Sequence, residues 1–292
     1  MKIQPECVPC LIRRSLYEIE LHTKDSKKAC DAILAAIKAL VDVYNPSLCS
    51  AEIATIVHKA VYNALETRDP YREVKERSNR VALSILPKIE RIVMESEDPL
   101  RASVICSIIG NILDFGIEGG SKSPEDLLHD FDKYLREGLG HDDYGKMKDI
   151  ISNSRRIVLV TDNCGEIVFD KVLCREIKRF NPDLFLSLVV RGEPILSDAT
   201  REDVVRLGFE EVVDEVLDTG TFAVGLDLKN IPKRLARAFE SSDLIICKGM
   251  ANYEVFSELN YKPIVYLLRT KCTAIARSMG LKLGINAIKI YE

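Results

Sequence analysis

The sequence predicts an α/β protein: an all-helical N-terminal domain over residues 1–150, then a three-layer α/β/α Rossmann-like domain over residues 151–292 with a mainly parallel sheet. Three observations predict it. Apolar residues recur at three-and-four spacing through the first half of the chain. Short, nearly continuous apolar runs replace them in the second half, and helix-patterned segments separate those runs. With 292 residues, 47% of them hydrophobic and 29% charged, the chain has the apolar content for one large core and is not a disordered composition.

The helices come first. Ile33, Leu34, Ile37, Leu40 and Val41 predict a helix over 31–44 with this stripe buried. Ser50 is the expected N-cap of the next, which carries Ile53, Ile56, Val57, Ala60, Val61, Ala64 and Leu65. Residues 78–94 are helical in pattern, with Pro87 as a kink or break. Residues 100–113 hold Val104, Ile105, Ile108, Ile109 and Ile112, and the pattern stops near Gly116. Ser123-Pro124-Glu125-Asp126 marks a further helix start, with an end near Gly138. No alternating strand is evident before about residue 150.

The strands follow. Runs at 157–160, 186–190, 244–247 and 264–268 suit strands buried on both faces, and 212–214 and 287–291 are candidates for two more. Helices are expected at 167–180, 200–207 and 231–239.

Charge and cysteine usage narrow the setting. Lysine and arginine total 41 against 45 acidic residues, a net charge of −4, which argues against wrapping nucleic acid. No apolar run approaches the ~20 residues of a membrane span, and the first ten residues lack a signal-peptide core. Nine scattered cysteines point to reduced thiols and a cytoplasmic location. The oligomeric state stays open.

Open parallel sheets bind ligands at the carboxyl ends of their strands. Four such ends here are polar: Thr161-Asp162-Asn163-Cys164-Gly165-Glu166, the stretch from Arg191 through Pro194 and Asp198 to Thr200, Lys248-Gly249-Met250-Ala251-Asn252-Tyr253-Glu254, and Arg269-Thr270-Lys271-Cys272. Oxygen donors such as Asp162, Asn163 and Asp198 suit a hard or borderline divalent cation. Lys248 and Lys271 supply point charges for an anion, and Gly249 permits close backbone approach. Metal, lysine and carboxylate together are the means of phosphoryl transfer to water. A dinucleotide or methyl-donor fold needs a glycine-rich first loop, and a P-loop needs its own signature; the chain has neither.

Taken jointly, Asp162-Asn163-x-Gly165-Glu166, Pro194-x-x-x-Asp198-x-Thr200, Lys248-Gly249-x-x-Asn252-Tyr253 and Leu268-Arg269-Thr270-Lys271 resemble the DUF89 family of metal-dependent damage-control phosphatases. Cys7-Val8-Pro9-Cys10 and Asn111-Ile112-x-Asp114 resemble its archaeal CxxC-bearing branch, and the likeness spans nearly the whole chain. The resemblance implies a phosphomonoester hydrolase of small phosphorylated metabolites using Mn, Co, Ni or Mg. It also implies that Asp162, Asn163 and Asp198 ligate the metal and that Lys271 holds the substrate phosphate. Asp162, Glu166 and Lys271 are then the catalytic candidates. Lys248, Gly249, Asn252, Glu254, Asn111 and Asp114 join Lys271 as candidates for substrate binding. Glu166 or Glu254 serves either as base or as support behind the metal.

Two rival functions stand beside this one: a non-catalytic metal- or redox-sensing CxxC protein, and an S-adenosylmethionine-dependent carboxyl methyltransferase. Cys7 and Cys10 read as a structural pair near the site, a transient metal site or a redox pair, with Pro9 opening a helix whose dipole favours the Cys10 thiolate. Cys272 shares a site loop, whereas Cys30, Cys49, Cys106, Cys174 and Cys247 read as buried hydrophobes. Asn111 and Asp114 either cap a helix end or cover the site. The four histidines show no ligand spacing, and His58 reads as an ordinary helix residue. The charges of 72–80 read as a solvated helix face.

Overall fold

The computed structural model describes residues 1–113 and 122–292. Five helices lead: α1 (Cys7–His22), α2 (Ser26–Val43), α3 (Ser50–Leu65), α4 (Arg72–Met94) and α5 (Pro99–Gly110). Then come α6 (Asp126–Glu137), β1 (His141–Asp142), α7 (Tyr144–Asn153), β2 (Arg156–Val160), α8 (Glu166–Phe180), β3 (Phe185–Val190), α9 (Arg201–Leu207) and β4 (Glu215–Asp218). The chain ends through α10 (Lys233–Glu240), β5 (Leu244–Lys248), α11 (Gly249–Phe256), β6 (Ile264–Arg269), α12 (Thr273–Met279) and β7 (Asn286–Tyr291).

Among the described residues seven strands form one sheet in the order β1-β7-β6-β5-β2-β3-β4. Strands β2 to β6 run parallel, while β7 lies antiparallel to β6 and carries β1 along its other edge. The sheet therefore takes in two residues, His141 and Asp142, from a region that reads as purely helical. From β2 the chain winds outward to β3 and β4, then returns to β5 on the opposite side of β2. That reversal opens a crevice at the carboxyl ends of β2 and β5.

Alternate strand residues feed two cores. Val158, Val160, Val189, Ile245 and Cys247 join the cluster built with α1 to α4, and Ile157, Leu159, Leu188 and Ile246 join the cluster on the other face. The strands read as continuous apolar runs for this reason. No helix among the described residues is long and apolar enough to cross a membrane.

Local expectations change in five places. Helix α2 buries Ala32, Ala36 and Leu40, while Leu34, Ile37 and Val41 are exposed, because it lies against α3 through its small residues. Helix α4 runs through Pro87 rather than stopping there. Cys49, not Ser50, holds the N-cap position of α3, and the Ser50 hydroxyl reaches the Glu254 carboxylate instead. Residues 212–213 close a turn onto Phe209, so the strand begins only at Glu215. Cys30 is exposed on α2.

Candidate active site

Strands β2 and β3 are hydrogen-bonded neighbours, so the loops leaving them start side by side. The backbones of Asn163 and Asp198 then pair in an isolated antiparallel bridge. On either side of it, Cys164 N–H donates to Ser197 O at 2.7 Å and Ala199 N–H donates to Asp162 O at 2.8 Å. Asp162, Asn163 and Asp198 are all buried, and all three line one cavity of about 490 Å³ with Lys271. The turn that brings Asp198 back contains Leu196 at φ 49°, an unfavourable backbone for a side chain of this kind. Its N–H donates to Tyr62 Oη at 3.0 Å, so a hydroxyl from α3 holds the turn.

Asp162 sits at the sheet's crevice. Its Oδ2 accepts from Asn111 Nδ2 at 3.0 Å and from Asn163 Nδ2 at 2.8 Å. Gly249, at φ 71° just beyond β5, leaves the room this carboxylate occupies: a Cβ there would stand 1.7 Å from Oδ2. Arg191, wholly buried at the end of β3, binds Asp198 Oδ2 through Nε at 2.6 Å and approaches Asp162 Oδ1 to 3.8 Å. Its remaining nitrogens donate to Gly225 O at 2.6 Å and Asn252 Oδ1 at 3.1 Å. Arg191 heads one of the four polar strand ends, but only its partners here give it a role. An arginine closing an apolar strand run was the available signal.

Several candidates lie beneath the cavity rather than on it. Lys248 is fully buried and donates to Glu166 Oε1 at 2.6 Å and Ser107 O at 3.0 Å, with Asp170 Oδ1 at 3.1 Å. Burial works against its charge, but Asp170 and Glu166 outweigh that and hold its pKa above the usual lysine value. Burial pushes the Asp170 carboxyl up to about 6, against the pull of Lys248. Glu166 is wholly buried too, and its Oε2 accepts from Asn111 at 2.9 Å and Asn163 at 3.1 Å. Lys248 and Glu166 therefore form a buried ion pair that does not line the cavity. Asn252 likewise braces Arg191 and donates to Thr161 O at 2.9 Å.

Others do reach the cavity. Lys271 lines it, with Nζ donating to Asn111 O at 2.5 Å. Glu254 lines it as well, its carboxylate accepting from Ser50. Asn111 is the C-cap of α5 and also donates to Asp162 from the helical side, while Asp114 lies outside the described residues. Asn79 of α4, which no sequence motif marks, also supports the site. Its Oδ1 accepts from Gly165 N–H at 2.6 Å and its Nδ2 donates to Asp203 Oδ1 at 2.8 Å, tying the loop after β2 and the first turn of α9 to one helix.

Cys7, Cys10 and Cys272 border the same cavity. Helix α1 begins at Cys7, and burial pushes that thiol up to about 12, away from a reactive thiolate. His58 is no ordinary surface residue: it is buried, lines the cavity, and sets Nδ1 2.7 Å from the buried Glu18 Oε1. Lys75, within the charged 72–80 stretch, is also buried and paired with Asp69.

Among the described residues no three His, Cys, Asp or Glu side chains form a ready metal cluster. The chemistry of the cavity floor nonetheless suits a divalent cation. Four buried carboxylates, Asp162, Glu166, Asp170 and Asp198, stand against three cations, Arg191, Lys248 and Lys271. Asp162, Asn163 and Asp198 are hard donors that share one cavity wall. Asn163 Oδ1 accepts from the Ser197 hydroxyl at 2.7 Å, which orients its amide beside Asp162.

The chain is similar to known proteins over its whole length. Residues 3–286 match the family model described as the damage-control phosphatase ARMT1-like domain. The chain is 40% identical, over the full length of both chains, to a protein of Archaeoglobus fulgidus named damage-control phosphatase. It is 33% identical to a damage-control phosphatase of Pyrococcus horikoshii, covering 97% of this chain and 96% of that one. A crystal structure of a DUF89 family protein from Pyrococcus horikoshii superimposes with a TM-score of 0.90, at 32% identity and with full coverage of both chains. This chain belongs to the damage-control phosphatase ARMT1-like domain family.

Proposed function

We propose that the cavity hydrolyses small phosphorylated metabolites, releasing phosphate with the help of a divalent cation. One observation carries the reading: Asp162, Asn163 and Asp198, from two loops, converge with Lys271 in one cavity at the strand-order reversal. A cation held by those three residues would supply Lewis-acid polarisation of the phosphoryl group and offset its charge. Lys271, whose ammonium donates to Asn111 O, would offset charge on the equatorial oxygens of a phosphoryl group bound in the cavity. Asn111 and Gly249 keep Asp162 in position, and Arg191 does so for Asp198.

Direct attack by water fits better than an aspartyl-phosphate. The second aspartate of a D-x-D pair would fall at 164, where a fully buried cysteine stands. Glu166 cannot act as the base from its place beneath the floor, since Lys248, Asn111 and Asn163 all engage it. Mn, Co, Ni and Mg are the metals to compare. The assay is phosphate release from a panel of phosphomonoesters by protein treated with EDTA, then resupplied with each metal in turn. Release restored by at least one metal is expected. Equal turnover by the stripped protein would rule out the metal-dependent scheme, and none under any condition would rule out the phosphatase.

A further inference from the structure

Helix α2 carries two apolar stripes, and the chain uses only one of them for its own core. Ala32, Ala36 and Leu40 are buried, with α3 as the main neighbour. The other stripe is Cys30, Leu34, Ile37, Val41 and the cap residue Tyr44, spaced four, three, four and three apart and exposed throughout. Leu34 is 47% exposed, Ile37 44% and Val41 74%. At 100° per residue the five side chains fall within a sector of about 80°, and they run roughly 21 Å along the helix. Single exposed leucines are ordinary, but a continuous apolar seam marks an interface. Alternation of four and three is the 3.5-residue repeat by which one helix packs along another.

The charges beside the seam select the occupant. Lys27, Asp31, Lys38 and Asp42 are exposed along one flank of it, in the order plus, minus, plus, minus. Lys28 of the same helix pairs with Glu66, whereas among the described residues none of these four is in an ion pair within the chain. A second copy of α2 laid antiparallel on the first brings opposite signs together at every position. Lys27 meets the partner's Asp42, and Asp31 meets the partner's Lys38. The same register sets Leu34 beside the partner's Ile37 and Cys30 beside the partner's Val41, so apolar layers and charges agree. Laid parallel, each charge would meet its own like. We propose that this face of α2 is a two-fold interface through which two copies of the chain associate, helix on helix in antiparallel register. The two-fold axis makes every contact occur twice. None of the seam residues lines the cavity, so the inference stands apart from the phosphatase reading. One helix from each copy makes a small interface, so the dimer should be weak and form at micromolar concentrations.

Sedimentation velocity on the full chain, from roughly 1 to 500 µM, reads the oligomeric state directly. The wild type should pass from monomer to dimer across that range. Ile37→Glu, which puts a charge in the middle of the seam, should stay monomeric throughout. Asp31→Lys sets a second cation against the partner's Lys38, twice by symmetry, and should raise Kd about fivefold or more at low salt and less at high salt. Adding Lys38→Asp to it restores opposite signs and should bring Kd back to within about twofold of the wild type. A parallel pairing would feel neither change. The three substituted positions are exposed, so melting temperature should hold, and phosphate release per chain should be the same for every variant. A wild type that stays monomeric at the highest concentration overturns the proposal and leaves the face to a partner other than this chain. A dimer that survives Ile37→Glu overturns the face. A charge exchange that restores nothing overturns the antiparallel register.

Discussion

Asn163 and Asp198 face each other across an antiparallel backbone bridge, although the strands that lead to them run parallel. The second loop must therefore reverse before it reaches the first. Leu196, at φ 49° with its N–H on Tyr62, is where that reversal is held. The approach of two carboxylates from separate loops thus depends on a tyrosine of the helical layer.

Replacing Tyr62 with Phe removes the acceptor for a buried N–H and should cost about 1–3 kcal/mol of stability. The larger effect should be on metal binding, because the Asp198 turn is freed while Asp162 stays fixed. Calorimetric titration with Mn²⁺ checks it. A variant that loses stability but binds the ion as tightly as wild type would show that the turn needs no external support.

Asp198→Asn should weaken metal affinity and turnover while leaving the fold intact. Two carboxylates meeting alone would repel, and their separation would stabilise the metal-free protein. Arg191, 2.6 Å from Asp198 Oδ2, reverses that expectation. The variant should instead melt lower, since a buried guanidinium loses its charged partner. Thermal melting after EDTA treatment decides between the two signs.

At Gly249 the test is steric. Alanine there would put a Cβ 1.7 Å from Asp162 Oδ2 on a backbone of φ 71°. Asp162 must move or the loop must, and either disturbs a residue proposed to hold the metal. Activity should drop at least about hundredfold, as when a transition-state contact is lost. Retained activity would mean that Asp162 is not fixed where the reaction occurs.

The two lysines should separate cleanly. Lys248→Met leaves Glu166 and Asp170 buried without their cation and should destabilise the fold by about 3–5 kcal/mol. Lys271→Met, at the cavity, should reduce kcat/KM by about hundredfold with a smaller effect on stability. Urea unfolding beside steady-state kinetics on both variants gives the answer. Reversed effects would exchange the roles assigned to them.

Asp170 supplies a pH test. Its folded pKa of about 6 lies above the ordinary aspartate value of 3.8. Across that interval the folded state holds a proton that the unfolded state has released. Its contribution to stability is thus full below about pH 4 and is lost as pH rises through about 6. The stability difference between wild type and Asp170→Asn should shrink over that window and level off above it. A difference that does not vary with pH would mean that Asp170 titrates normally.

Much of this protein is legible in its sequence because burial leaves a periodic trace. Continuous apolar runs such as 157–160 and 244–247 mark strands covered on both faces, and chain direction then fixes which loops share the ligand-binding edge. Oxygen donors in those loops, Asp162, Asn163 and Asp198, could therefore be picked out before any coordinates. Periodicity says nothing about which charge lies beside which. Lys248 and Lys271 look alike as lysines at or just beyond strand ends, yet one is sealed among Glu166, Asp170 and Ser107 while the other lines the cavity. Arg191, Asn79, Tyr62 and the Glu18–His58 pair escaped for the same reason. Each acts on a residue distant in sequence, and a buried polar group gets its role from the partner that satisfies it. Only the packing of the helical layer against the sheet edge supplies those partners.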